Sequence, residues 1–144
     1  MTKPVTHEAL AQLEGVLGPK GMLRSEADKA PYLKEWRDRW HGETQAVLRP
    51  ASTDDVSRVM QIANKNEIAI VPQSGNTGLV GGQIARPGHE ELVLSLDRMT
   101  KILNVDAPDS TMTVQAGATL KSVQDAADEA GRLFPLSLAS EGSC

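Results

Sequence analysis

The sequence predicts an α+β fold: a small parallel βαβ unit followed by strands that join a more mixed or antiparallel sheet. Three observations carry this. Two short apolar segments, 46–49 and 68–71, flank a stretch with helical periodicity. A glycine-rich run follows the second segment at once. Beyond it lie further β-like stretches and one last amphipathic helix pattern.

In chain order, residues 6–17 read as a helix: Thr6 can cap it, Leu10, Leu13 and Leu17 share a face, and Gly18-Pro19 stops it. Residues 25–40 are polar and poorly periodic, and hold Tyr32, Trp36 and Trp40. Ala46-Val47-Leu48-Arg49 is a short strand ended by Pro50. Ser52 opens a capping box with Asp55, and Val56, Val59, Met60 and Ala63 follow at helical spacing. Residues 64–67 end that helix, and Ile68-Ala69-Ile70-Val71 is an apolar, β-branched strand. Strand, helix and strand in so short a span make a βαβ unit, so the two strands should run parallel. Residues 92–96 are a third strand and 102–105 a fourth, and Met112, Val114 and Ala116 alternate on one face of residues 111–116. Thr119 caps the last helix, with Leu120, Val123, Ala127 and Ala130 inward and Gly131 at its end, and residues 133–144 read as loop.

The chain has 144 residues, one domain's worth, and with 3% aromatics its core must be aliphatic. A net charge of −4, from 15 basic and 19 acidic residues, argues against a nucleic-acid partner or an anionic membrane surface. The lone Cys144 allows no intrachain disulfide and suits a reducing compartment. No apolar run approaches the ~20 residues of a membrane span. The first ten residues lack a secretory pattern, so the cytoplasm is the expected location. His7, His41 and His89 lack metal-ligand spacing to one another or to the cysteine, and no metal is expected. Asp54-Asp55 at a helix start and residues 125–129 on a helix's outer face are explained by the macrodipole and by solvation, not catalysis.

The chemistry concentrates in Pro72-Gln73-Ser74-Gly75-Asn76-Thr77-Gly78-Leu79-Val80-Gly81-Gly82, directly after a buried strand. Glycine lets backbone approach a ligand closely, and successive amides in such a turn form an anion-binding concavity. Ser74 and Thr77 add hydroxyl donors and Asn76 an amide. A plain strand-terminating turn explains the glycines equally well at this point. The dinucleotide fingerprint G-x-G-x-x-G is absent because Thr77 stands at its second glycine, and no Gly-Lys pair makes a P-loop. Nor does a strong helical pattern follow the loop, so a helix dipole is not the obvious partner for an anion.

Ala46-Val47-Leu48-Arg49-Pro50 with Thr53-Asp54-Asp55-Val56, and then Val71-Pro72-Gln73-Ser74-Gly75-Asn76-Thr77-Gly78, resemble the FAD-binding domain of the vanillyl-alcohol oxidase and p-cresol methylhydroxylase flavoproteins. Val114-Gln115-Ala116-Gly117-Ala118-Thr119-Leu120, Phe134-Pro135-Leu136 and Ser140-Glu141-Gly142-Ser143-Cys144 resemble it too, in family order. The Pro-Gln-x-Gly-Asn-Thr-Gly string and Glu35-Trp36-Arg37 resemble the D-2-hydroxyacid dehydrogenase branch, which oxidises D-2-hydroxyglutarate, D-lactate or glycolate.

That resemblance implies residues 1–45 as a helical N-terminal segment and 46–144 as an FAD-binding core, incomplete at its C-terminus. It implies that Gly75, Asn76, Thr77, Gly78 and Leu79 wrap the FAD pyrophosphate, mainly with backbone N–H groups, with Pro72 and Ser74 also cofactor-binding. Pro135 and Ser140 would approach the flavin, and Gly142 and Ser143 would begin a second cofactor segment. Many branches attach FAD through a histidine after the loop glycine. Here Asn76 follows Gly75, so binding is expected to be non-covalent, although a left-handed turn residue explains Asn76 as well. Family members continue past the Ser143-Cys144 position into Thr-Ile-Gly-Gly and a substrate domain. This span is therefore expected to hold no catalytic residue, to be inactive alone, to hold FAD weakly or not at all, and to self-associate through the face where relatives continue. The substrate, a small 2-hydroxy acid, would belong to the full-length protein. The alternative is a non-catalytic module that binds a phosphate-bearing ligand or a partner protein. Trp36, Arg37 and Trp40 either cover a core edge, the favoured reading, or stack on an adenine or line a channel.

Overall fold

The computed structural model describes residues 4–140 and 142–144; Glu141, in the string quoted above, lies outside the described residues. Helix α1 (His7–Leu17) starts where the Thr6 hydroxyl accepts the Ala9 N–H, and stops at Gly18 with φ 68°. Strand β1 (Met22–Leu23), the four-residue helix α2 (Glu26–Lys29) and a 3₁₀ turn (Ala30–Tyr32) follow. The segment expected to be helical thus also contains a strand, and β1 pairs antiparallel with β2 (Val47–Leu48). Helix α3 (Thr53–Lys65) is capped by Ser52 as expected. The Asp55 carboxylate accepts the Ala51 N–H at 3.0 Å, one residue earlier than a capping box would place it.

Strand β3 (Ala69–Gln73) and strand β4 (Glu91–Ser95) complete a four-stranded sheet of order β1-β2-β4-β3. The βαβ unit has the expected direction, but its two strands do not touch. Strand β4 sits between them, parallel to both, with Val47 opposite Val93 and Val71 opposite the same Val93. Strand β3 runs on through Pro72, which an edge strand accepts because an edge residue can spare its N–H.

All five residues of β4 are buried. Leu48, Leu92 and Leu94 face a core with Leu10, Leu13, Val59 and Ala63 of α1 and α3, while Val47 and Val93 pack with Ala85 on the opposite face. Each such aliphatic side chain contributes about 1.5–3 kcal/mol by leaving water. Met60, placed inward by its spacing, is exposed, because α1 and the sheet claim only the Val59 and Ala63 side of α3.

A second, two-stranded antiparallel sheet joins β5 (Ile102–Asp106) and β6 (Thr111–Val114) through a turn with Ser110 at φ 53°. Helix α4 (Leu120–Glu129), capped by Thr119, buries Leu120 and Ala127 and packs against β5. Val123 and Ala130 are half-buried, and Gly131 takes φ 67° beyond the helix end. The structure therefore holds both halves of the expected α+β arrangement.

Candidate functional site

The connection from β3 to β4, residues 74–90, contains no helix. A parallel crossover usually carries one, and an irregular loop of that length in a compact domain is typically functional. It forms an exposed loop directly after the strand, as its glycine density implies. A cavity of about 370 Å³ opens beside it, lined by Pro72, Gln73, Ser74, Gly75, Asn76, Thr77, Gly78, Gln83, Ala116, Ala118 and Cys144. Among the described residues, the lining carries no acidic or basic side chain. Anion affinity here would draw mainly on backbone N–H groups.

The hydrogen-bond pattern supplies it. Among the described residues, the amides of Gly75, Asn76, Thr77, Gly78 and Leu79 donate to no protein acceptor. Five successive unpaired N–H groups are costly unless water or a ligand accepts from them. The Ser74 and Asn76 side-chain donors, by contrast, are engaged with the protein. The Ser74 hydroxyl donates to the Ala116 carbonyl at 3.4 Å. Asn76 Nδ2 donates to the carbonyls of Pro31 at 3.2 Å and Lys34 at 2.8 Å, tying the loop to the N-terminal segment. Two carbonyl partners also fix which end of the amide is nitrogen. Asn76 Oδ1 is then buried with no partner, and Asn76 takes φ 53°. Left-handed backbone and an orphaned acceptor in one residue mark stored strain of the kind found at binding sites. Unpaired backbone N–H donors fit a diphosphate group.

The loop also meets the end of the chain. A Cβ on Gly75 would overlap the Ser143 carbonyl oxygen, so glycine is required there for close approach. The Cys144 carbonyl accepts the Leu120 N–H at 2.6 Å, at the start of α4. No helix follows the loop, but the fold brings the N-terminus of α4 to the cavity rim from elsewhere in the chain, through Ala118. Of the other expected site residues, Leu79 is exposed and outside the lining. Ser140 accepts the amides of Ser143 and Cys144 in a turn. Pro135 and Gly142 are exposed and do not line the cavity. Spacing alone missed Gln73, Gln83, Ala116, Ala118 and Cys144. The polar Gln73 at the end of an apolar strand was the one available signal.

Two neighbouring clusters frame the loop. The buried Glu35 carboxylate accepts the amides of Arg37 and Arg39, each at 2.7 Å. The Arg37 N–H above all holds that carboxyl below the usual range. The turn it organises leaves Trp36 83% exposed. Covering a core edge therefore fails for Trp36, whereas the Trp40 ring lies against Gly81, where a Cβ would come within 2.8 Å of it. At the carboxyl ends of β2 and β4, Arg49 Nε donates to both oxygens of Asp97 at 3.0 Å, and the Tyr32 hydroxyl donates to Asp97 at 2.7 Å. Burial, then the Asp97 carboxylate, push Tyr32 up to about 12, so it stays a neutral phenol at physiological pH. Among the described residues, no group of three His, Cys, Asp or Glu could hold a metal ion.

The family model described as "FAD binding domain" matches residues 44–144. The chain belongs to this FAD-binding domain family. The domain resembles a D-2-hydroxyglutarate dehydrogenase of Xanthomonas citri pv. viticola, with 43% identity over 127 residues, 88% of this chain and 26% of the relative. It resembles a D-2-hydroxyglutarate–pyruvate transhydrogenase of Saccharomyces cerevisiae at 33% identity, over 99% of this chain and 29% of the relative. The chain thus spans roughly a quarter of the length of these relatives. Among solved structures, p-cresol methylhydroxylase with substrate bound matches 94% of the chain and 27% of its own, with TM-score 0.72 and 24% identity. Alkyldihydroxyacetonephosphate synthase matches 91% of this chain and 26% of its own, with TM-score 0.78 and 20% identity. Those two similarities establish a shared fold for the FAD-binding domain, which agrees with the family that the motifs resemble.

Proposed function

We propose that this chain is the diphosphate-holding part of a flavin-dependent oxidoreductase, and that the protein built on it oxidises a D-2-hydroxy acid to the 2-oxo acid. The run of unpaired amides from Gly75 to Leu79, beside a cavity whose described lining carries no charged side chain, carries the reading. The names of the relatives supply the substrate class. When bound, FAD supplies the hydride acceptor for the substrate's α-carbon. The chain's own residues bind and orient it: residues 75–79 offer N–H groups to the diphosphate, and the Ser140 turn supports the tail that closes on Gly75. Attachment through this loop position is non-covalent, because Asn76 offers an amide that cannot form the histidine link.

The test has two arms. In a protein of the relatives' full length, D-2-hydroxyglutarate or D-lactate should reduce a dye acceptor; reduction with L-isomers only would overturn the substrate class. Residues 1–144 alone should reduce none, and should bind FAD more weakly than micromolar by fluorescence titration. A dinucleotide draws contacts along its whole length, and each charge-assisted hydrogen bond not made loses about 1.5–3 kcal/mol. Tight one-to-one binding would show that this loop suffices. Exposed Leu133, Phe134, Leu136 and Leu138 in the tail favour self-association of the isolated chain, read as concentration-dependent sedimentation.

A further inference from the structure

Side-chain amides frame the loop from behind. Gln73 Nε2 donates to the Tyr32 carbonyl at 2.9 Å and to the Gln83 carbonyl at 3.0 Å. Gln83 folds back over the loop, and its Nε2 donates to the Gly78 carbonyl at 2.7 Å. In a planar trans peptide the carbonyl of one residue and the N–H of the next point to opposite sides. Anchoring the Gly78 carbonyl therefore also sets the direction of the Leu79 N–H, one of the unpaired amides. It keeps a negative carbonyl oxygen from turning toward phosphate oxygens, where like partial charges repel.

Gly78 has no left-handed φ, so its backbone conformation does not require glycine. A Cβ at Gly78 would lie 2.7 Å from Gln83 Oε1 and 3.1 Å from its Cδ, so the glutamine head that holds the carbonyl would have to shift. We propose that Gln83 is a positioning residue for the diphosphate cradle, and that a side chain at Gly78 would displace its head. The inference rests on the diphosphate-holding role argued above, and adds a device for aiming the amides.

The test is inorganic pyrophosphate titrated at millimolar concentration into the ¹⁵N-labelled chain, following the amide signals of residues 75–79 by NMR. Gln83→Ala and Gly78→Ala should each weaken the apparent Kd about fivefold, the scale of one net hydrogen bond. Gly78→Ala/Gln83→Ala should be no weaker than either single variant, because both remove the same contact. The unfolding midpoint of Gln83→Ala without pyrophosphate should stay near wild type, since the bond is exposed. Wild-type affinity in Gln83→Ala, or additive losses in the double variant, would overturn the positioning role while leaving the diphosphate reading intact. Silence of the wild-type amides would overturn both. If Gly78→Ala misfolds, Gln83→Ala alone still decides whether the glutamine aims the cradle.

Discussion

Strand β4 and strand β5 are each five residues long, yet all of β4 is buried and no residue of β5 is. Strand β4 lies between two parallel neighbours, with α1 and α3 over one face and the residues around Ala85 over the other. Strand β5 has one partner and one helix, and Leu103 stays exposed. The difference teaches that the parallel region closes its own core. The β5–β6–α4 region presents half-covered surfaces, and a two-stranded sheet is marginal without further packing. The cradle lies where the two regions meet, with Gly75 from one and Ala116 and Ala118 from the other.

The largest expected effect comes from truncating the same side chain in each strand. Leu92→Ala should cost about 2–5 kcal/mol in urea denaturation, as a cavity in a closed core does. Leu103→Ala should stay within about 0.5 kcal/mol. Comparable losses would show that the second region is as tightly held as the first. Next are the helix caps. Ser52 accepts the Asp55 N–H and Thr119 the Ser122 N–H, so the local chemistry is matched. Ser52→Ala should lower global stability by about 1 kcal/mol. Thr119→Ala should mainly speed hydrogen exchange in α4, leaving β4 amides protected. Equal global losses would erase the distinction.

The smallest effect is in acid. Both carboxylates that are buried and held low belong to the parallel region. The Arg37 N–H leads in lowering Glu35. Burial pushes Glu91 up, but the Arg86 hydrogen bonds and charge outweigh it. A carboxyl depressed by folding contributes stability that is fully present above its unfolded value, about 4.5, and is lost as pH falls through the folded value. Stability should therefore be flat down to about pH 4.5 and decline below it. Glu35→Gln should shallow that decline, and β5–β6 exchange protection should not follow it. A slope unchanged in Glu35→Gln would remove the carboxylate from the account.

Much of the local structure was legible residue by residue. Thr6, Ser52 and Thr119 cap their helices by short-range hydrogen bonds that no distant packing alters. Strand-forming segments announced themselves through β-branched, apolar runs, and glycine density marked the cradle. Met60 misled because periodicity reports a stripe's direction and not its width. Trp36 misled because an aromatic ring is apolar wherever it lies, while its exposure depends on a turn organised by the Glu35 carboxylate.

Order among the strands was another matter. That β4 would insert between β2 and β3 depends on which pairing buries most apolar surface, and no local pattern encodes that choice. The site divides in the same way. Its backbone donors follow from which residues are glycine and where the strand stops, so the identity of the loop lay in the chain itself. Which donors stay open is a matter of distant partners. Pro31 and Lys34 occupy the Asn76 amide, and Ala116 accepts from Ser74. Hydrogen bonds need their partners within about 3 Å, and only the folded chain brings residues that far apart in sequence so close.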